Sequence, residues 1–91
     1  MSPHVRVKFL LHFREWAGAK ETELEAATLG ELIDKVEHRF HLEGKILAGA
    51  RPPPWTRILV NGRDAMLTEG RETRLESGDQ VAFVYPFMDG G

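Results

Sequence analysis

One stretch alone repeats its apolar residues at helical spacing over several turns. Leu29, Leu32, Ile33, Val36 and Phe40 follow the i, i+3, i+4, i+7 pattern of an amphipathic helix. Thr28, three residues before Glu31, makes a capping box at its start. His38, Arg39 and His41 lie near its other end, where positive charge suits the helix dipole. The spacing therefore predicts a helix from Thr28 to about Phe40. One such helix can cover one face of one sheet, so the remaining apolar residues have to supply that sheet.

They do so by alternation. Val5, Val7, Phe9, Leu11 and Phe13 share one face of a run whose other face carries Arg6, Lys8 and His12, the pattern of a half-buried strand. Leu10 puts one apolar side chain on the polar face. Residues 14–18 read as a short helical turn closed by Gly18. Residues 21–26 alternate again, with Thr22, Leu24 and Ala26 facing one way, and their glutamates suit a water-facing edge strand paired with the first. Beyond the helix, residues 42–55 lose all periodicity. Gly44, Gly49 and Pro52-Pro53-Pro54 punctuate them, with one turn expected over 42–47 and an extended triple proline. Residues 56–60 form a strand, Ile58 and Val60 inward and Leu59 outward. Asn61-Gly62 signals a tight hairpin, returning through a short strand from Arg63 to Met66. Residues 68–77 are charged and turn-rich. Gly78-Asp79 launches the last strand, residues 80–85, with Val81, Phe83 and Tyr85 on one face and Ala82 and Val84 on the other.

The order is strand, strand, helix, long loop, hairpin, strand. The predicted class is α+β, a β-grasp or ubiquitin-like roll: a mixed five-stranded sheet with one main helix packed across one face, its first and last strands parallel and central. A chain of 91 residues holds one such domain and one core. If the first, last and third strands are neighbours in that order, Leu10, Val84 and Leu59 line up across the uncovered face. Three adjacent apolar residues there mark a docking surface, which Met66 would extend.

The end of the chain has a different character. Pro86 cannot continue a ladder, so the body is expected over residues 1–87 and a mobile tail over 88–91. Glycine lacks a Cβ, so Gly90-Gly91 can thread a narrow tunnel and present a carboxylate to another molecule. The Gly91 carboxylate is the candidate reacting group. Little else in the chain offers covalent chemistry. There is no cysteine, hence no disulfide, thiolate metal site or cysteine nucleophile. Ser77 has no His/Asp constellation around it, and no Gly-rich phosphate loop is present. His38 and His41 are spaced for a metal on one helix face but lack a third ligand, and read as a solvated helix end. Trp16 and Trp55 read as core or rim packing. A net charge of -2 argues against binding nucleic acid by broad phosphate neutralisation. No apolar run approaches the roughly 20 residues of a membrane span, and residues 1–4 carry no signal-peptide core. A cytoplasmic protein is expected.

Three segments together resemble a known family. They are Val7-Lys8-Phe9-Leu10 through Phe13-Arg14-Glu15-Trp16-Ala17-Gly18; Ile58-Leu59-Val60-Asn61-Gly62-Arg63; and Ser77-Gly78-Asp79-Gln80-Val81-Ala82-Phe83 running to Gly90-Gly91. In this order they resemble the ubiquitin-like sulfur carriers of the MoaD/ThiS type, above all the small-subunit branch of molybdopterin synthase. The stretch before the glycines, Tyr85-Pro86-Phe87-Met88-Asp89, is bulkier than the family's usual two prolines and a small residue.

The resemblance implies a carrier and cosubstrate rather than an enzyme. A ubiquitin-activating-type adenylyltransferase, using ATP and Mg²⁺ of its own, would adenylate Gly91. A persulfide or sulfide donor would then convert it to a thiocarboxylate. The acceptor would be an enzyme such as the molybdopterin synthase large subunit. Gly90 would give clearance beside the reacting group, and Phe87, Met88 and Asp89 would set reach and register in the partner's tunnel. No metal, nucleic acid or membrane enters this scheme. Two other classes stay open: a protein modifier joined to lysines through Gly91, and a plain interaction module, for which the Gly-Gly ending has no use. Sulfur carriage toward a thiazole, an amino acid or tRNA is equally compatible with the residues.

Overall fold

The computed structural model describes residues 2–46 and 56–85. The elements are β1 (His4–Leu11), α1 (His12–Ala17), β2 (Glu21–Glu25), α2 (Leu29–Phe40), β3 (Arg57–Val60), β4 (Arg63–Asp64) and β5 (Gln80–Tyr85). Two 3-10 turns, Ala65–Leu67 and Gly70–Glu72, lie between β4 and β5. The five strands make one sheet in the order β2-β1-β5-β3-β4. β1 and β5 are parallel neighbours at its centre, while β2 pairs antiparallel with β1, and β3 antiparallel with β5 and β4. This is the expected β-grasp roll. Parallel neighbours cannot be joined by a tight turn, so everything between β1 and β5 serves as the crossover.

The helix α2 covers one face. Its Leu29, Leu32, Ile33 and Val36 are fully buried against Val5, Val7, Phe9, Ile58, Val81 and Phe83 of the sheet. Each such side chain removed from water contributes about 1.5–3 kcal/mol before entropy is counted. Thr28 caps the helix, its Oγ1 accepting from the Glu31 N–H at 3.3 Å. The Glu31 carboxylate reaches one residue further back than a capping box requires and accepts from the Ala27 N–H at 2.6 Å. The helix closes at Phe40, with His41 in the left-handed region at φ 58°. In the segment that follows, Leu42 and Ile46 are fully buried, which fastens the expected turn to the core.

The structure corrects the sequence reading at three places. The first strand ends at Leu11, not at Phe13, because Leu11 turns the chain with φ 55° and ψ −125°. Its side chain, expected inward, is 48% exposed. Phe13 does reach the core, but from α1, which begins two residues earlier than expected and ends on Gly18 at φ 72°. The hairpin at Asn61-Gly62 is present with both residues at positive φ, as a type I′ turn requires. Its return strand, expected to reach Met66, stops at Asp64. There the Asp64 carboxylate accepts from the Met66 N–H at 3.0 Å and starts a 3-10 turn instead. The third correction concerns register on the uncovered face and is described with the site. The triple proline, Trp55 and the tail residues 86–91 lie outside the described residues.

Candidate functional site

The face away from α2 is built by the alternate residues of each strand. Its β2 side is polar. His4 Nε2 lies 3.3 Å from Glu25, and Arg6 lies 4.0 Å from Glu21 and 3.5 Å from Glu23. On the far side Arg57 lies 3.9 Å from Asp64. These pairs are largely exposed and add little stability, but they keep both flanks of the sheet charged. Between them Leu10, Val84, Ala82 and Leu59 are half-buried and apolar.

Their register differs from the expected row. Leu10 pairs with Val84 across β1 and β5. Leu59, however, pairs with Ala82, and Val84 faces Arg57. Leu59 is therefore diagonal to Val84, about 7–8 Å away in an antiparallel pair. Ala82, which alternation puts on the same face as Val84, fills the corner and joins the patch through its pairing with Leu59. Met66 does not extend it along a strand. It stands in the 3-10 turn and packs against the core. Leu67, one residue on, is the exposed apolar side chain there, at 82%.

Next to the patch a cavity of about 460 Å³ opens between Leu10, Leu11, His12, Arg14, Glu15 and Val84. His12, read as a polar-face strand residue, is folded inward by the turn at Leu11, its side chain only 18% exposed. Nδ1 lies 3.5 Å from the Glu15 carboxylate, and the buried Nε2 has no hydrogen-bond partner among the described residues. The His12 ring packs edge-on to Tyr85 at 5.8 Å and stacks on Trp16 at 5.8 Å. Trp16 is thus a rim residue, as expected.

Gly91, Gly90, Asp89, Met88 and Phe87 lie outside the described residues, so their expected roles rest on the body that carries them. That body places Tyr85, the last residue of β5, opposite Leu11 and next to Val84. Tyr85 thus stands at the border of the apolar patch. Among the described residues there is no cluster of three His, Asp or Glu able to hold a metal, and no helix long and apolar enough to cross a membrane.

Known proteins share this arrangement. Small archaeal modifier protein 3 of Haloferax volcanii is 30% identical over 91 residues, covering 96% of this chain and 98% of that protein. An Archaeoglobus fulgidus protein provisionally assigned as a sulfur carrier is 34% identical over 76 residues, covering 81% of this chain and 85% of that protein. A Pyrococcus furiosus structure provisionally assigned as subunit 1 of the molybdopterin converting factor superposes with a TM-score of 0.76 at 28% identity, covering 94% of this chain and all of that one. The ThiS family profile matches residues 7–91, through both terminal glycines. With a β-grasp body under that match from β1 to β5, the chain belongs to the ThiS family of small ubiquitin-like carrier proteins.

Proposed function

We propose that this chain carries sulfur as a thiocarboxylate on Gly91 and delivers it in molybdopterin synthesis. The observation that carries the reading is the exit of β5. A central strand, held on the β1 side up to Tyr85, ends beside an uncovered apolar patch, and Gly91 follows six residues later within the family match. A partner that docks on Leu10, Leu59, Ala82 and Val84 then has the terminal segment within reach of its own active site. Gly90 gives the backbone clearance, and Phe87, Met88 and Asp89 set the reach.

The chemistry needs activation because a carboxylate is a poor electrophile. An enzyme of the ubiquitin-activating type, with ATP and Mg²⁺ in its own site, lets the Gly91 carboxylate attack the α-phosphate. Pyrophosphate leaves and an acyl-adenylate forms. Sulfide displaces AMP and gives the thiocarboxylate directly. A persulfide displaces AMP to give an acyl disulfide, which a second thiol cleaves to the same product. The thiocarboxylate sulfur is then passed to the acceptor, a molybdopterin synthase large subunit in this reading. This chain contributes the group, and its partners supply the catalysis. The likeness to the Pyrococcus furiosus protein supports the acceptor.

A second reading has its own observation. The Haloferax volcanii relative is called a modifier protein and is matched over nearly its whole length. Conjugation to lysines would use the same acyl-adenylate. The two readings part after activation. The activated chain, mixed with a molybdopterin synthase large subunit and its sulfur-free pterin substrate, should yield dithiolene and regenerate the carboxylate. Isopeptide conjugates in place of sulfur transfer would favour the modifier. A chain extended by one residue after Gly91 should release no pyrophosphate in either case.

A further inference from the structure

We propose that Trp16 is a positioning residue that fixes Tyr85, the strand residue from which the proposed reactive segment departs. This rests on the proposed reaction at Gly91, six residues beyond Tyr85. Strand pairing alone does not hold Tyr85. On the β3 side the ladder ends one residue earlier, at Arg57 and Val84. On the β1 side Tyr85 pairs with Leu11, where β1 itself ends in a left-handed turn. Among the described residues the last strand residue before the proposed reactive segment is therefore laddered on one side only, against a partner that is already leaving the sheet.

Ring contacts take over where the ladder stops. The Tyr85 ring lies 5.4 Å from Trp16 at 57°, and His12 meets it edge-on. Trp16 is in turn held from three directions. Phe13 packs against it at 5.1 Å and 86°, His12 stacks on it, and Lys45 Nζ from the segment after α2 sits 4.6 Å from its ring centroid. Phe13 is fully buried and packs on Phe83 of β5 at 6.1 Å. The contacts run from the core through Phe13 to Trp16 and on to Tyr85. Trp16 itself is 38% exposed, so it supports the strand end from outside the core. Aromatic pairs of this geometry favour one relative orientation. A Tyr85 already held in place spares part of the conformational entropy lost when a docked partner seats the segment that follows.

The test combines backbone NMR relaxation at Tyr85 with steady-state adenylation kinetics on the full chain. Trp16→Ala should leave the core amides unchanged, lower the order at Tyr85, and reduce kcat about tenfold with KM for the carrier kept, since the docking patch is intact. Trp16→Phe should restore most of both. Tyr85→Leu, which removes the ring from the other side, should behave as Trp16→Ala and serves if that variant does not fold. A folded Trp16→Ala chain with unchanged order at Tyr85 overturns the inference, and so does lost order with unchanged kcat. If the wild-type chain is never adenylated, the proposed reaction is wrong, and lost order at Tyr85 would still establish the anchor.

Discussion

Leu10 stands directly opposite Val84 across the central parallel pair, whereas Leu59 is displaced to face Ala82. The apolar area is therefore a compact four-residue patch at the β5 exit, with charged pairs on both flanks. In the proposed reaction a partner rests on this patch while it holds the terminus.

Charge placed in this patch should separate docking from folding. Val84→Asp puts a carboxylate opposite Arg57, which can pair with it in the free chain, so circular dichroism and melting temperature should change little. Binding to the activating enzyme should weaken by about 2 kcal/mol or more, the scale on which a central interface residue or an unpaired buried charge acts. Leu10→Asp should do the same from the other strand. Global unfolding of either variant would mean that these side chains support the core.

Gly30 should resist a substitution that usually helps. Alanine is ordinarily favoured over glycine in a helix, by up to about 1 kcal/mol in its interior and by less in the first turn, where Gly30 stands. Here a Cβ on Gly30 would lie 3.1 Å from the Arg71 carbonyl oxygen and the Arg71 guanidinium, which also donates to Gly30 O at 3.4 Å and to Asp34 at 3.0 Å. The oxygen belongs to the backbone of the turn Gly70–Glu72 and cannot swing away as a side chain can. Gly30→Ala should lower stability by about 1 kcal/mol in urea unfolding, overpacking outweighing propensity. A gain would show that the turn yields freely.

Much of the fold was legible because its signals were local. The α2 periodicity, the Thr28 cap, the Asn61-Gly62 turn and the inward residues of β5 all lie where their spacing puts them. The errors arose where a tertiary event interrupted a local pattern. Alternation continued through Leu11 to Phe13 although the chain had already left the sheet, because Phe13 reaches the same core from α1. Asp64 ended β4 through a bond to Met66 that composition does not announce. The offset between Leu59 and Val84 depends on which β5 residue faces β3, and alternation within one strand carries no register between strands. The candidate reacting terminus rests on chemistry alone, on the lack of cysteine, triad and phosphate loop elsewhere in the sequence, and residues 86–91 lie outside the described residues.

Leu11 offers a test of the turn that redirected β1. A leucine at φ 55° and ψ −125° carries strain of about 1–3 kcal/mol. Just over half of its surface is buried, so any truncation also loses apolar contact, and alanine is the matched control. Leu11→Gly should be more stable than Leu11→Ala by about 1 kcal/mol, the strain relieved less glycine's added unfolded-state entropy of roughly 0.5–1 kcal/mol. A glycine variant no more stable than the alanine one would show that the backbone there is not strained.

His12 can be examined in the same way. Its Nε2 is buried without a partner among the described residues, a cost of about 1–3 kcal/mol for a polar group. Its pairing with the exposed Glu15 returns little. His12→Phe keeps a ring against Trp16 and Tyr85 and removes the orphaned nitrogen, so thermal unfolding should shift upward. A downward shift would place a stabilising partner on Nε2.

The central claim is that Gly91 carries sulfur, and intact mass spectrometry of the chain purified from its own host tests it most directly. The account predicts a population heavier by the exchange of one oxygen for one sulfur, localised to the C-terminal peptide and reverting to the carboxylate on hydrolysis. A chain found only as the free carboxylate and as isopeptide conjugates of Gly91 to lysines, under conditions where its activating enzyme is present, would contradict it.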